Sequence, residues 1–218
     1  PEHQIITFAY DVTIRAPKSM RPHPNLWINV VSSAMSPMAG DQLGPIRNNP
    51  ANTEYEKAIR QWPKLAPGRV TIWHWANNFK APLYEWPNLY PLADDIRLWH
   101  ENEIAGAQLQ VVWGNSNWSW LRNWVALKLM WDPERSVDGL VRQFLAGFYG
   151  ERAAGPLWDY IQFMKKWREA SNFPTNVVGW TSRPPVLRPK MFPPDVLERM
   201  DRLMQDARNA AAEHEDRS

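Results

Sequence analysis

The 218-residue sequence contains no cysteine, so disulfides, thiolate metal sites and cysteine nucleophiles are excluded. It also lacks any apolar run approaching the roughly 20 residues that a membrane-spanning helix needs, and we expect no contact with a membrane. The sequence also lacks a large net charge, because it contains 25 Lys and Arg residues and 23 Asp and Glu residues. Without a cluster of basic residues, the sequence gives no indication of nucleic-acid binding.

The sequence is instead rich in tryptophan and proline, with 14 and 20 residues respectively. Tryptophan rings are platforms on which sugar rings stack, but they also fill protein cores because they are large. The count alone favours core filling. No glycine-rich phosphate loop, His-Glu-x-x-His zinc helix or nucleophile elbow is present. We therefore predict neither a metal ion nor a cofactor.

Four short apolar and β-branched runs predict buried strands, and two amphipathic stripes between the later runs predict helices. The first helix is expected to start at Thr53, in a capping box with Glu56, and to be ended by Pro63 and by Pro67 with Gly68. The second is expected to open at Pro91 and to end at Gly106. Strands that alternate with helices in this way are typical of parallel βα units. The predicted strands cover residues 5–10, 26–31, 70–75 and 107–113.

After the fourth strand the pattern is helical throughout. Ser136 is placed to cap one helix, and Pro156 is placed to start the next. A proline-rich segment at residues 174–194 precedes a last amphipathic helix. We therefore divide the chain into the βα units, residues 1–132, and a C-terminal helical extension, residues 133–218.

The lengths of the connections favour one architecture. Long segments rich in aromatic and amide residues follow the strands, whereas the helix-to-strand connections are short. This asymmetry is typical of a TIM barrel, whose active site lies at the carboxyl ends of the strands. Four parallel strands cannot close a barrel, and an open sheet would leave two edges to cover. The sequence thus favours the second half of a (β/α)8 barrel over an open sheet, with the first half or a partner chain expected to complete it.

Side chains at the carboxyl ends of the predicted strands are the candidate site. Tyr, His, Asn and Trp together can hydrogen-bond hydroxyl groups and stack on a pyranose face. Asp11 supplies a carboxylate and is the candidate catalytic residue. The other candidates, for substrate binding, are Tyr10, His74, Trp75, Asn77, Trp113 and Asn115.

Each candidate has a structural alternative. Tyr10 and Asp11 could serve a hydrogen bond to a loop at the end of the strand. His74 could be a buried structural histidine. Trp73 and Trp75 point to the same side of one strand, so one of them is expected to serve packing.

Carboxylates are scarce at the predicted site. Glycoside hydrolysis normally needs two carboxyl groups, roughly 5 to 5.5 Å or roughly 6.5 to 9.5 Å apart. Asp11 is the one that we place at a strand end, and Glu85 and Asp41 are loop possibilities only. Asp94 and Asp95 are expected to serve the first turn of their helix. This half of a barrel therefore does not supply the usual pair.

Several strings resemble a large bacterial family of domains of unknown function, which are glycoside-hydrolase-like TIM barrels akin to α-glucuronidases and β-hexosaminidases. The strings are AYDVTIRAPKSMRPHPNLWINVV, IWHWANNF, LADDIRLWHENEIAGAQLQ, LKLMWDPE and FLAGFYGERAAGPLWDYI. The resemblance runs from about residue 6 to residue 160, and its last part is the most specific.

The resemblance implies that the strands are the fifth to eighth of a barrel, and that the substrates are complex glycans or acidic and N-acetylated sugars. It also implies secretion or a periplasmic location in bacteria. Members often carry a Gln-Gly-Glu-like segment at the end of the last strand, where this chain has Trp113, Gly114 and Asn115. An asparagine can hold a sugar hydroxyl but cannot act as a base.

The leading hypothesis is therefore a glycoside hydrolase that cleaves a glycosidic bond in a complex glycan, with part of its catalytic machinery outside this chain. A non-catalytic glycan-binding barrel is the second hypothesis, and the Asn115 position favours it. A structural domain whose tryptophans all lie in the core is the third.

Overall fold

The computed structural model describes residues 3–32, 43–76, 85–110, 118–171 and 192–212. Within these residues the chain forms four strands and six α-helices, so it belongs to the α/β class. The strands are β1 (Ile5–Ala9), β2 (Leu26–Ser32), β3 (Val70–Trp75) and β4 (Gly106–Gln110). The helices are α1 (Thr53–Leu65), α2 (Leu89–Glu101), α3 (Ser119–Trp131), α4 (Val137–Tyr149), α5 (Glu151–Ala170) and α6 (Pro194–Ala212).

The four strands form one parallel sheet in the order β1-β2-β3-β4, as the sequence predicted. The register pairs Ile5 with Leu26, Ile28 with Val70 and Thr71 with Gly106. Each connection leads to the neighbouring strand, and successive strands are added on the same edge of the sheet. Because such connections are right-handed, α1 and α2 lie on the same side of the sheet.

The middle of the sheet is buried against these helices. Ile28 and Val30 of β2 and Val70 and Ile72 of β3 are almost fully inaccessible to solvent. β-Branched residues suit this position, because their stiff side chains pack well on a pleated surface. Strand alternation turns the residues between them to the other side of the sheet.

The beginning of α1 differs from the predicted capping box. The residue before α1 is Asn52, which makes no side-chain capping bond, and the Thr53 hydroxyl donates instead to the Pro50 carbonyl oxygen at 3.0 Å. The Glu56 carboxylate accepts from the backbone N–H of Asn48 at 3.0 Å. The box fails because a short 3-10 turn over Pro50–Asn52 leads into the helix and occupies the capping groups. α1 continues past Pro63, which removes one backbone hydrogen bond near the end of the helix, and it ends at Leu65, just before the predicted stop at Pro67 and Gly68.

The second helix starts earlier than predicted, at Leu89 rather than Pro91. Asp95 therefore lies beyond the first turn and does not serve the helix terminus. It is buried, and its carboxylate accepts from the backbone N–H of Ile46 at 2.7 Å. α2 ends at Glu101, so that Gly106 opens β4 rather than ending the helix.

The chain forms two compact units. The first contains residues 1–119 and 174–183, and the second contains residues 120–173 and 184–218. The sequence analysis placed a boundary at residue 132, between the βα units and the helical extension. That boundary remains a prediction. The predicted proline-rich segment lies mostly outside the described residues.

The second unit is helical, and α5 packs against both α4 and α6. Ser136 caps α4 as predicted, because its hydroxyl oxygen accepts from the backbone N–H of Gly139 at 3.2 Å. Pro156 lies inside α5 rather than at its start, since α5 already begins at Glu151. Trp167 of α5 stacks on Phe192, just before α6, with ring centroids 4.7 Å apart.

Candidate functional site

The carboxyl ends of the four parallel strands meet at one edge of the sheet. Ala9, Ser32, Trp75 and Gln110 are the last residues of the strands at this edge. In open and closed parallel sheets alike, ligands bind outside the carboxyl ends of the strands. The candidate site therefore consists of residues that end or directly follow the strands.

A tight turn follows β1 and holds two predicted site residues. The backbone N–H of Tyr10 donates to the Thr13 hydroxyl oxygen at 3.1 Å, and that hydroxyl donates to the Tyr10 carbonyl oxygen at 2.8 Å. Asp11 has a φ of +50°, in the left-handed region that aspartate tolerates better than most residues. Tyr10 and Asp11 are both half-buried, so part of each remains accessible at the strand end.

An aromatic face covers the side of the sheet that points away from α1 and α2, and it consists of Phe8, Trp73 and Trp75. The ring centroids of Phe8 and Trp73 are 5.7 Å apart, and those of Trp73 and Trp75 are 6.4 Å apart. This confirms that the two tryptophans share one side of β3. Trp75 is buried, whereas Trp73 is half-buried and Phe8 is 52% exposed. The open ring area on this face therefore belongs to Phe8 and Trp73.

The aromatic face also contains an amide. The Trp73 indole N–H donates to the Gln110 side-chain oxygen at 2.9 Å. Sequence reasoning did not select Phe8, Trp73 or Gln110 for the site. Side chains alternate along a strand, so Trp73 lies on the same side of β3 as Trp75. The register pairs Trp75 with Gln110, which places Gln110 on that side as well. These two rules could have indicated Trp73 and Gln110 from the sequence.

His74 lies on the opposite side of the sheet from Trp75. Its ring is 7% exposed and meets the Trp99 ring of α2 edge-on, with centroids 5.3 Å apart. Its Nδ1 is hydrogen-bonded to the Ser32 hydroxyl at 2.8 Å, and the Ser32 oxygen also accepts from the backbone N–H of Trp75 at 3.1 Å. Burial lowers the pKa of His74 to about 4, which keeps the imidazole neutral. The structure thus does not bring His74 and Trp75 together, and a ligand contact for His74 stays a prediction.

A buried carboxylate lies between the connections after β3 and β4. Glu85 is 6% exposed, and its carboxylate accepts from the Trp118 indole N–H at 3.3 Å. Trp118 has a φ of +56°, which is unusual for so bulky a residue. No local sequence pattern indicates this contact, because Trp118 is 33 positions away in the chain.

The connection after β2 is tied to α1 through the backbone N–H of Asn48 and the Glu56 carboxylate, and to α2 through two further hydrogen bonds. The Ile46 N–H donates to Asp95 of α2, as described above, and the Arg47 guanidinium donates to Glu101 at 2.9 Å. This hydrogen bond raises the pKa of Arg47 and lowers that of Glu101. Leu43 packs with Trp86, which comes from the connection after β3. These contacts give the described loops at the edge of the sheet fixed positions.

Three predicted site residues, Asn77, Trp113 and Asn115, lie outside the described residues. In the part of the chain that the structure does describe, no group of three or more His, Asp and Glu side chains could hold a metal ion. Among the same residues, no helix is both long and apolar enough to cross a bilayer.

The chain matches a known protein family over most of its length. The sequence model of a family described as "Domain of unknown function (DUF4838)" matches residues 1–162. No curated protein and no solved structure matches the chain.

Proposed function

The chain belongs to the DUF4838 family of domains of unknown function, and from that premise we propose that it is part of a glycoside hydrolase. The reaction is cleavage of a glycosidic bond in a complex glycan. The fold is the second half of a (β/α)8 barrel, followed by a helical extension. A secreted or periplasmic location in bacteria, which the family resemblance implied, is part of the same proposal.

The winding of the sheet supports the barrel. Strand order follows chain order, and α1 and α2 lie on one side, as in each half of a TIM barrel. A doubly wound sheet would instead reverse its strand order and carry helices on both sides.

The exposure of β1 supports completion of the barrel by further strands. Ile5 and Ile6 point to opposite sides of β1, and they are 63% and 62% exposed. Within the described residues, β1 pairs with β2 and β4 pairs with β3, which leaves the outer edge of each strand open. Parallel sheets are normally buried on both sides, and open edges are usually covered. The proposed cover is the first half of the barrel or a partner chain.

The aromatic face is the observation that carries the carbohydrate assignment. Phe8 and Trp73 expose ring surface on the side of the sheet that becomes the interior of a barrel. Gln110 adds a polar amide within hydrogen-bond distance of Trp73. Stacking rings beside a hydrogen-bonding amide suit the apolar face and the hydroxyl groups of a sugar.

Asp11 is the proposed carboxylate contributed by the first strand, and Tyr10 beside it orients a sugar hydroxyl. The left-handed backbone of Asp11 at a strand end supports a role in the site, because strained residues cluster there. Trp75 and Trp113 as ring platforms, and Asn77, Asn115 and His74 as hydroxyl partners, belong to the proposal as sequence predictions.

The proposal is tested by assaying the protein expressed from its complete reading frame on N-glycans and glucuronides. The matched variant is Asp11→Asn, because asparagine also tolerates a left-handed φ and removes only the charge. We expect wild-type turnover and a loss of at least about 100-fold in the variant, as removal of an acid–base group typically causes. Asp94→Asn, on the exposed side of α2, serves as the control and keeps wild-type activity.

A glycan-binding barrel without catalysis is the second candidate. The observation that favours it is Asn115, which stands where the related family often has a carboxylate. Tight glycan binding by the wild-type protein, with no turnover on any substrate, would establish this second function and exclude the first.

A further inference from the structure

Asn29 is a polar residue in the middle of β2, on the side of the sheet that carries the aromatic face. The strand register pairs it with Phe8 of β1 and with Thr71 of β3. Because side chains alternate along a strand, Thr71 and Trp73 share one side of β3, and Asn29 lies on that side too. The ring centroids of Phe8 and Trp73 are only 5.7 Å apart. Asn29 is therefore the amide of β2 that lies next to the aromatic face.

An asparagine is unusual at this position. Residues that point into a TIM barrel form a packed core in which branched apolar side chains dominate. On the other side of β2, Ile28 and Val30 follow that rule and are almost inaccessible to solvent. Asparagine is also depleted in strands. Asn29 thus departs from both packing and strand propensity, and departures of this kind are expected at functional positions.

The sheet does not use the side-chain oxygen of Asn29. This oxygen is buried and has no hydrogen-bond partner among the described residues, although the residue as a whole is half-buried. A buried acceptor without a donor is costly, so a donor is expected from outside the described residues. Rotation of the amide by half a turn exchanges its oxygen and nitrogen. A hydroxyl group both donates and accepts, and therefore matches either orientation.

We propose that Asn29 forms a subsite for one sugar hydroxyl group beside the aromatic face. The assignment rests on the proposed function, and it names a residue that determines which sugars bind. A pyranose that stacks on Phe8 carries its hydroxyl groups around the edge of its ring, and Asn29 is the direct neighbour of Phe8 in the register. A site that hydrogen-bonds a hydroxyl rejects the analogue that lacks it, because the polar group of the site then stays unpaired.

Deoxy sugars test this subsite. The probes are methyl glucoside, methyl glucuronide and methyl N-acetylglucosaminide, with the monodeoxy analogues of those that bind. They are titrated by calorimetry into the protein expressed from its complete reading frame. For the wild type we expect one deoxy analogue to bind about 10-fold more weakly than its parent sugar.

The variant Asn29→Val removes the amide and keeps a side chain that suits a strand. We expect its affinity for the parent sugar to fall by the same factor of about 10, and its affinity for that deoxy analogue to equal the wild-type value. The preference for the parent sugar is then lost. The control, Gln108→Val, replaces an exposed amide of β4 by the same residue and keeps the wild-type preference.

A purely structural role of Asn29 gives a different result. If the amide only completes the interior of the barrel, Asn29→Val weakens the binding of parent and deoxy sugars by the same factor. The preference then stays at the wild-type value, and the proposal is overturned. A wild type that binds the parent and all of its deoxy analogues equally overturns it as well. If the wild type binds none of the probes, the carbohydrate assignment fails and the subsite falls with it, whereas binding with an unchanged preference in Asn29→Val excludes the subsite alone.

A second variant covers the case in which Asn29→Val does not fold. Asn29→Thr also suits a strand, but its hydroxyl is nearer to the backbone than the carboxamide that it replaces. We expect the preference for the parent sugar to decrease, with the affinity for the deoxy analogue unchanged. A wild-type preference in Asn29→Thr overturns the proposal.

Discussion

The indole N–H of Trp73 donates to the side-chain oxygen of Gln110 at 2.9 Å, which joins β3 to β4 across the aromatic face. The bond fixes the orientation of a half-buried ring whose other neighbours are Phe8 and Trp75. A ring that is already oriented before a ligand arrives loses little freedom on binding.

Trp73→Ala is expected to weaken glycan binding by about 10-fold or more, because the loss of one stacked ring costs about 1.4 kcal/mol or more. Titration of the protein with glycans, followed by calorimetry, measures the change. The control is Trp120→Ala, which removes an exposed tryptophan of α3 and leaves the affinity unchanged. Equal affinities of wild type and Trp73→Ala would exclude the aromatic face as the binding surface.

His74 makes stability depend on pH. Its pKa is about 4 in the folded protein, against 6.5 for an ordinary histidine. Between these values the unfolded chain binds a proton that the folded protein does not bind, so stability falls as the pH decreases from about 6.5 to about 4. The loss amounts to at most about 3 kcal/mol from this residue, and above pH 6.5 there is none.

His74→Gln should therefore flatten the dependence of the free energy of unfolding on pH in that window. Urea denaturation at several pH values provides the measurement, and the slopes are compared rather than the absolute stabilities. His3→Gln, which changes an exposed histidine before β1, keeps the wild-type slope. A wild-type slope in His74→Gln would show that this histidine is not held neutral.

Asp94 and Asp95 are neighbours on α2, but replacing them with alanine is expected to change stability by different amounts. Asp95→Ala leaves the buried N–H of Ile46 without its acceptor, which should destabilise the protein by about 1–3 kcal/mol. Asp94→Ala removes a partly exposed ion pair with Arg47 at 3.7 Å, and a loss below about 1 kcal/mol is expected. Thermal unfolding of both variants measures the difference. Similar melting temperatures would mean that Asp95 does not anchor the connection after β2.

The effect of a substitution at Ile6 on stability tests whether further strands cover β1. In the protein from its complete reading frame, Ile6→Lys is expected to destabilise the fold by several kcal/mol, because the proposed barrel buries this side chain. Val12→Lys, in the exposed turn after β1, should change stability by less than about 0.5 kcal/mol. If Ile6→Lys unfolds at the wild-type temperature, β1 is an uncovered edge and the barrel is wrong.

The strands and the inner faces of the helices were predictable because they follow from local periodicity. Tyr55, Ile59 and Trp62 form the stripe expected for α1, and all three are buried. The start of that helix at Thr53 was predictable too, but its capping was not, since a preceding 3-10 turn changes which groups remain to be capped. The prolines misled as well: Pro63 and Pro156 lie inside α1 and α5, although each removes one backbone hydrogen bond from its helix.

The candidate site was less predictable than the fold. Tyr10 and Asp11 could be selected because they follow a strand directly. Glu85 could be named only as a loop possibility, since its hydrogen-bond partner Trp118 is 33 positions further along the chain. The role of His74 was ambiguous because the sequence does not show which side of the sheet its side chain faces. A shift of one residue in the strand register exchanges the two sides.

The neighbour-to-neighbour order of the strands has a consequence for how the sheet can be assembled. Each strand pairs with one that precedes or follows it in the chain, so no pairing has to wait for a distant segment to return. β2 has its first partner as soon as it is synthesised, and β3 and β4 each add to an edge that already exists. Each addition closes a single connection, and the entropic cost of closing it grows only slowly with the length of that connection. Among the four described strands, each new βα unit can therefore use its predecessor as a template during translation.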